Sequence, residues 1–303
     1  MNRFIWLIRR EIWEHKAIWV APLVVLACLA LALLTGNVHL GPIGTMDGSS
    51  TFGQFPQEVQ LKLLVIAYAG LALVVLVVMG IISFFYSLDS LYSDRRDRSV
   101  LFWKSLPLSD AETVLSKFAV ASVVIPLVAM AGAVLAQLLI AAGGSAKLAM
   151  SGMSAAIMWQ PEAILGGIMV AFMWCVTAML WYAPIVGYLM LASAWAPRGP
   201  FLWAVLPPVA IWVLERVVMG SEYMGDFITG RLFGLKRLLG TTGGTGDMSD
   251  ADAGAEVIKL SQLDLVGSLK DFYSSPDLWL GVVAAGLLLA AAMWVRRYRD
   301  ETS

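Results

Sequence analysis

The sequence predicts an all-α integral membrane protein with six transmembrane helices. Its 303 residues are 59% hydrophobic and only 14% charged, whereas soluble domains run at about 45–50% and about 25%. Mean hydropathy is +0.77. The apolar residues gather in six long stretches, each near the roughly 20 residues that a helix needs to cross hydrocarbon. A soluble fold of this length would leave a large apolar surface in water, and a bilayer takes up that surface as lipid-facing side chains. The net charge of −1 supplies no basic stripe for nucleic acid. Cys28 and Cys175 sit inside apolar runs and His15 and His39 lie apart, which is neither a disulfide framework nor a metal-ligand set.

Residues 1–16 are amphipathic. Phe4, Ile5, Ile8 and Ile12 recur at helical spacing among Arg9, Arg10, Glu11, Glu14 and Lys16, while Trp6 and Trp13 suit the headgroup level. A helix lying along the membrane surface follows. The first span covers residues 17–36. It is preceded by acidic as well as basic residues instead of the short basic segment of a signal peptide, so it reads as uncleaved. The second span covers 63–88 and the third 118–140. The next apolar run, Ala163 to Pro197, is too long for one crossing. Pro184 and Gly187 within it can kink a helix without ending it, whereas Ala196-Pro197-Arg198-Gly199-Pro200 is a turn signal. The fourth span therefore covers 163–191. The fifth, opened by Pro200 and carrying Pro207-Pro208, covers 201–218, and the sixth, with Pro276-Asp277 ahead of it, covers 278–295. No internal repeat is visible, so residues 1–303 read as one transmembrane domain.

Lysine and arginine in the short loops set the orientation. Thirteen fall on one side: Arg3, Arg9, Arg10 and Lys16, five in residues 89–117, Arg198, and Arg296, Arg297 and Arg299. The other side has Lys62 and Lys147 in its short loops, and a long segment whose charges count for little. Both termini are expected to face the cytoplasm.

The cytoplasmic loop 89–117 is the most informative segment. Asp94, Arg95, Arg96, Asp97 and Arg98 lead into an apolar and aromatic patch, Val100-Leu101-Phe102-Trp103, followed by Lys104 and by Pro107, which stops a helix. Ser109-Asp110-Ala111-Glu112 has the form of a capping box, so a new helix starts there and runs into the third span. A short helix with an exposed aromatic patch suits contact with a cytoplasmic partner. Composition alone fits equally well a turn whose charges are solvated while Phe102 and Trp103 dip into lipid. The segment 219–277 reads as an external loop with a Gly/Thr-rich stretch at 240–246 and a moderately amphipathic helix marked by Ile258, Leu265, Val266 and Leu269.

Enzymatic signatures are sparse. Gly244-Thr245-Gly246-Asp247 has the G-x-G-D form of intramembrane aspartyl proteases, but it sits in a polar loop and no aspartate inside the spans answers it. The chain carries no H-E-x-x-H, no G-x-S-x-G and no G-x-x-x-x-G-K-[ST]. It therefore cannot hydrolyse ATP by the usual phosphate-loop route. No ionisable side chain near mid-span suggests a proton relay.

The stretches 93–117 and 181–215, with the order of surface helix, six spans and a larger last external loop, resemble the permease subunits of bacterial ABC-2-type ABC transporters. In that family two permeases pair in the membrane, each engages a separate cytosolic ATPase, and the loop between spans two and three is the coupling helix. The resemblance implies that role for Asp94, Arg95, Arg96, Asp97, Arg98, Phe102, Trp103, Lys104 and Pro107. Phe102 and Trp103 would fill a groove on the ATPase, and the arginines would orient it. It also implies ATP and magnesium on two copies of that partner and none in this chain. A second permease copy or a homologous permease would complete the complex, in the bacterial inner membrane. The expected function is export of a lipid, peptide or hydrophobic compound. The alternatives are a membrane-embedded hydrolase or protease using Asp247 with Glu215, and a non-transporting permease-like sensor or immunity protein.

Overall fold

The computed structural model describes residues 3–35, 56–97, 109–150, 154–234, 270 and 272–299. Helix α1 (Arg3–Glu14) is the surface helix, and α2 (Ala17–Thr35) follows after a two-residue break. The other long helices are α3 (Gln57–Arg96), α4 (Asp110–Met150), α5 (Pro161–Trp195), α6 (Pro200–Val218) and α8 (Pro276–Arg299). A shorter helix, α7 (Tyr223–Phe233), lies between α6 and α8. Six helices, α2 to α6 and α8, are long and apolar enough to cross a membrane.

All six fall where the apolar stretches predict them, and most run further. The second stretch, 63–88, belongs to a helix of 40 residues, and the third, 118–140, to one of 41. An apolar stretch stops at its first charge, but a helix stops at a cap. Ser109 starts α4 as the sequence predicts: its Oγ accepts from the Glu112 amide at 3.1 Å, and the Glu112 carboxylate accepts from the Ser109 amide at 2.8 Å. Helix α5 runs past Leu191 to Trp195, where Pro197 and the left-handed Gly199 (φ +60°) make the turn into α6. The Gly/Thr-rich stretch 240–246 and the amphipathic segment 258–269 lie outside the described residues.

Helices α3, α4 and α5 form the centre, with α8 against α5 and α2 against α4. Their contact surfaces are rich in small side chains, including Ala72, Ala129, Ala133, Ala136, Ala171 and Ala292, all buried. Small residues let membrane helices approach closely, where packing replaces the hydrophobic drive available in water. Near its start α4 widens to a π turn over Val120–Val124. Pro126 explains it: the ring lacks an amide hydrogen and crowds the carbonyl one turn back, so the ladder shifts. Ser83 Oγ of α3 donates to the Ala121 carbonyl at 2.8 Å, and the Cys175 thiol of α5 donates to the Pro126 carbonyl at 3.3 Å. Both bonds come from neighbouring helices, so the bulge is also a point of attachment. Helix α6 is peripheral, with Ala204 as its one buried residue.

Candidate functional site

The last turns of α3 enter a cluster of charges sealed inside the protein. Asp94 is 5% exposed, although it opens the charged run of the predicted partner surface. Its Oδ1 lies 3.4 Å from Lys117 Nζ of α4, and its Oδ2 lies 3.2 Å from Arg296 Nη1 of α8. Lys117 Nζ also reaches Glu11 Oε1 of α1 at 2.9 Å, and Arg296 Nε reaches Asp110 Oδ1 at the start of α4 at 3.2 Å. Tyr86 of α3 donates its hydroxyl to Glu11 Oε2 at 2.9 Å, with the His15 ring packed edge-on against it. One network thus ties α1, α3, α4 and α8 together. Glu11 and Lys117 are each 2% exposed, and a charged group buried to that degree requires a partner, which each finds in the other. Among the described residues, three carboxylates face two cations. Asp110 carries the surplus best: it is the most open member and sits in the first turn of α4, where the helix dipole favours negative charge.

The next residue points the other way. Arg95 donates to the carbonyls of Ser193 and Ala196, closing the C-terminus of α5, where free carbonyls and the negative end of the dipole attract a cation. Ser193, fully buried, returns the contact through its hydroxyl, which accepts from the amides of Leu91 and Tyr92 at 3.1 and 2.9 Å. A side chain of α5 is therefore inserted into the backbone ladder of α3, two turns before the loop. Arg96 and Asp97 are exposed and bond to each other at 3.0 Å. Of the predicted coupling residues, Asp94 and Arg95 are thus turned into the bundle and Arg96 and Asp97 outward. Arg98, Phe102, Trp103, Lys104 and Pro107 lie outside the described residues.

Sequence reasoning missed Glu11, Tyr86, Lys117, Ser193 and Arg296 as members of one site. It counted Lys117 and Arg296 only as loop and tail charges. The available signal was position: Lys117 and Arg296 each directly abut a span, and Glu11 follows Leu7 by one turn on the buried side of α1.

At the other end of the bundle α7 packs back against α5 and α6. The Glu215 carboxylate, weighed as a catalytic group, caps α7: it accepts from Ser221 Oγ at 2.7 Å and from the amides of Tyr223 and Met224 at 2.8 Å each. Asp247, its suggested partner, lies outside the described residues. Arg231 of α7 stacks over Trp181 at 4.1 Å and donates to the Asp277 carbonyl at 3.2 Å. Burial pulls its guanidinium below the ordinary value, against the opposing pull of Asp277. Trp181 in turn donates to the Arg231 carbonyl at 2.8 Å.

Residues 59–182 match the family model described as ABC-2 family transporter protein. The matched segment takes in most of α3, all of α4 and much of α5, and with them Asp94, Arg95 and Lys117. No curated protein and no solved structure matches the chain.

Proposed function

We propose that the chain, whose six helices are long and apolar enough to cross a membrane and whose residues 59–182 match the ABC-2 family, is the transmembrane permease subunit of an ATP-driven exporter. Two copies, or this chain with a homologous permease, pair in the bacterial inner membrane with both termini in the cytoplasm. Each copy engages a separate cytosolic ABC ATPase, which holds ATP and magnesium. The cargo is a lipid, peptide or hydrophobic compound passing between the copies along the apolar faces of α3 and α6. Helix α6 suits such a face, because Leu206, Leu214 and Val217 are each at least 60% exposed.

The observation that carries this reading is the fixing of the end of α3. Residues 98–108 follow a helix whose last turns are joined through Asp94 to α4 and α8, through Lys117 on to α1, and through Arg95 to α5. A force on the loop acts on five helices at once instead of bending one. In this division of labour Arg96, Asp97, Arg98, Phe102, Trp103, Lys104 and Pro107 meet the ATPase, and Asp94 and Arg95 pass its movement inward.

The test is to purify the chain from its native membrane in mild detergent, identify what accompanies it, and measure vanadate-sensitive ATP hydrolysis. A stoichiometric phosphate-loop ATPase that is lost on Trp103→Ala or Arg96→Glu supports the proposal. A chain that purifies alone, under conditions that keep other transporter complexes intact, overturns it.

A further inference from the structure

Helix α1 has a second face that the charge network does not use. Its inward side is fixed by Leu7 and Glu11, both buried. Successive residues step about 100° around a helix, which puts Arg9 opposite Glu11 and places Trp6 and Trp13 within about 60° of Arg9. Ile5 and Ile12 lie on one flank of this stripe and Arg10 and Glu14 on the other. The indoles of Trp6 and Trp13 are 50% and 70% exposed. The Arg9 guanidinium stands 5.4 Å from the centroid of each, held between them. Trp6, Arg9, Arg10, Trp13 and Glu14 line an open cleft of about 710 Å³. Arg10 is bonded to Glu14 at 3.0 Å, whereas among the described residues the Arg9 guanidinium has no carboxylate partner.

We propose that Trp6, Arg9, Arg10 and Trp13 form a binding site for the phosphate of an anionic glycerophospholipid. The charge asks for an anion, and the planar guanidinium presents paired N–H groups that match a phosphate. Stacking between two indoles fixes that fork in advance and lowers the ordering cost of binding. The apolar walls decide between a lipid and a free phosphate. Trp6 and Trp13 offer indole surface to the glycerol and first acyl carbons, and beside them Ile5 and Trp19 of α2, whose Nε1 donates to the Ile12 carbonyl at 3.3 Å, are exposed apolar surface. A soluble anion would use the cation and leave the indoles wet. Glu11 in the network holds α1 at the charged end of the bundle, so the cleft opens sideways at headgroup level. On the orientation proposed above, that is the cytoplasmic leaflet.

The full chain, purified in detergent, would be titrated with dioleoylphosphatidylglycerol and with dioleoylphosphatidylcholine, and its lipid adducts counted by native mass spectrometry. Preference for the anionic lipid is expected at about fivefold or more per guanidinium. The pair Arg9→Gln and Arg10→Gln should abolish it, and Arg9→Lys should keep part of it. Brominated phosphatidylglycerol should quench tryptophan fluorescence in the parent, and the pair Trp6→Phe and Trp13→Phe should remove the part of that quenching that saturates at low lipid. These side chains face away from the bundle, so the variants should elute as the parent does. If the arginine pair fails to fold, the tryptophan pair alone decides. Equal retention of both lipids, a preference untouched by the arginine pair, or quenching untouched by the tryptophan pair would each overturn the site. Displacement of the lipid by excess glycerol phosphate would overturn the lipid assignment in favour of a free-anion site.

Discussion

Lys117 bridges two carboxylates of the charge network that come from different helices. Its ammonium lies between Glu11 and Asp94, at 2.9 and 3.4 Å, and is 2% exposed. Among the described residues, Lys117→Met would leave Glu11, Asp94 and Asp110 with Arg296 as their cation. Losing one partner of a buried pair typically costs about 3–5 kcal/mol, because the remaining charge is left without compensation. The expected outcome is a large fall in the thermal unfolding midpoint of the detergent-purified protein. Adding Glu11→Gln should recover part of it by removing one stranded carboxylate, and a double variant no better than the single one would refute the pairing. Gln137 predicts the opposite sign. It is 1% exposed on α4, and neither its amide nitrogen nor its amide oxygen finds a hydrogen-bond partner among the described residues. Gly167 of α5 leaves it room: a methyl group there would stand 3.3 Å from the amide nitrogen. An unpaired buried polar group costs about 1–3 kcal/mol, so Gln137→Leu should raise the unfolding midpoint. A lower midpoint would mean that the amide is paired in the membrane. The sequence marks Gln137 as a mild polar residue in a span, but not as an unpaired one, because pairing depends on which helices meet it.

At the scale of elements, the six spans were legible because the bilayer requires long apolar runs and allows few alternatives. The capping box at Ser109 and the turn at Pro197–Gly199 were legible for a similar local reason, since each depends on residues adjacent in sequence. The π turn in α4 was not. Pro126 announces a disturbance, but the attachment from Ser83 comes from another helix. Nor was α7 legible within 219–277, since its start is capped by Glu215 from the preceding span. That cap yields a prediction. Glu215→Ala would leave the Tyr223 and Met224 amides without their acceptor and release the Ser221 hydroxyl. A lost cap costs about 0.5–2 kcal/mol, enough to loosen a helix of 11 residues that buries none of them. A cysteine placed at Phe227 should then react faster with a membrane-impermeant thiol reagent than in the parent background, in a chain whose Cys28 and Cys175 are replaced. An unchanged rate would show that Trp181 and Arg231 suffice to hold α7.

For the whole molecule, the decisive property is the split between inward and outward residues at the end of α3. Asp94 and Arg95 face helices, whereas Arg96 and Asp97 are exposed, next in sequence to the segment that we assign to the ATPase. If that loop docks the ATPase and the network transmits its movement, the two groups should fail differently. Asp94→Asn is the sharper inward variant. Among the described residues it leaves two carboxylates, Glu11 and Asp110, against two cations, Lys117 and Arg296, so their formal charges balance and the fold should survive. The amide oxygen can still accept one hydrogen bond, but the charged bridge from α3 to α4 and α8 is gone. Arg95→Gln similarly removes the cation that closes α5. Both variants should retain the co-purifying ATPase at parental stoichiometry and lose the coupling of ATP hydrolysis to the state of the membrane subunit. That loss would be read as ATPase activity no longer differing between detergent and native-lipid nanodiscs. Arg96→Glu should instead lose the ATPase outright while leaving the unfolding midpoint unchanged, because its side chain is exposed and its bond to the neighbouring Asp97 contributes little. The same phenotype from Asp94→Asn and Arg96→Glu would remove the distinction between docking and transmission. Loss of the ATPase from the inward variants alone would move the docking surface onto the buried side of α3, which its 5% exposed aspartate makes physically untenable without unfolding the last turn.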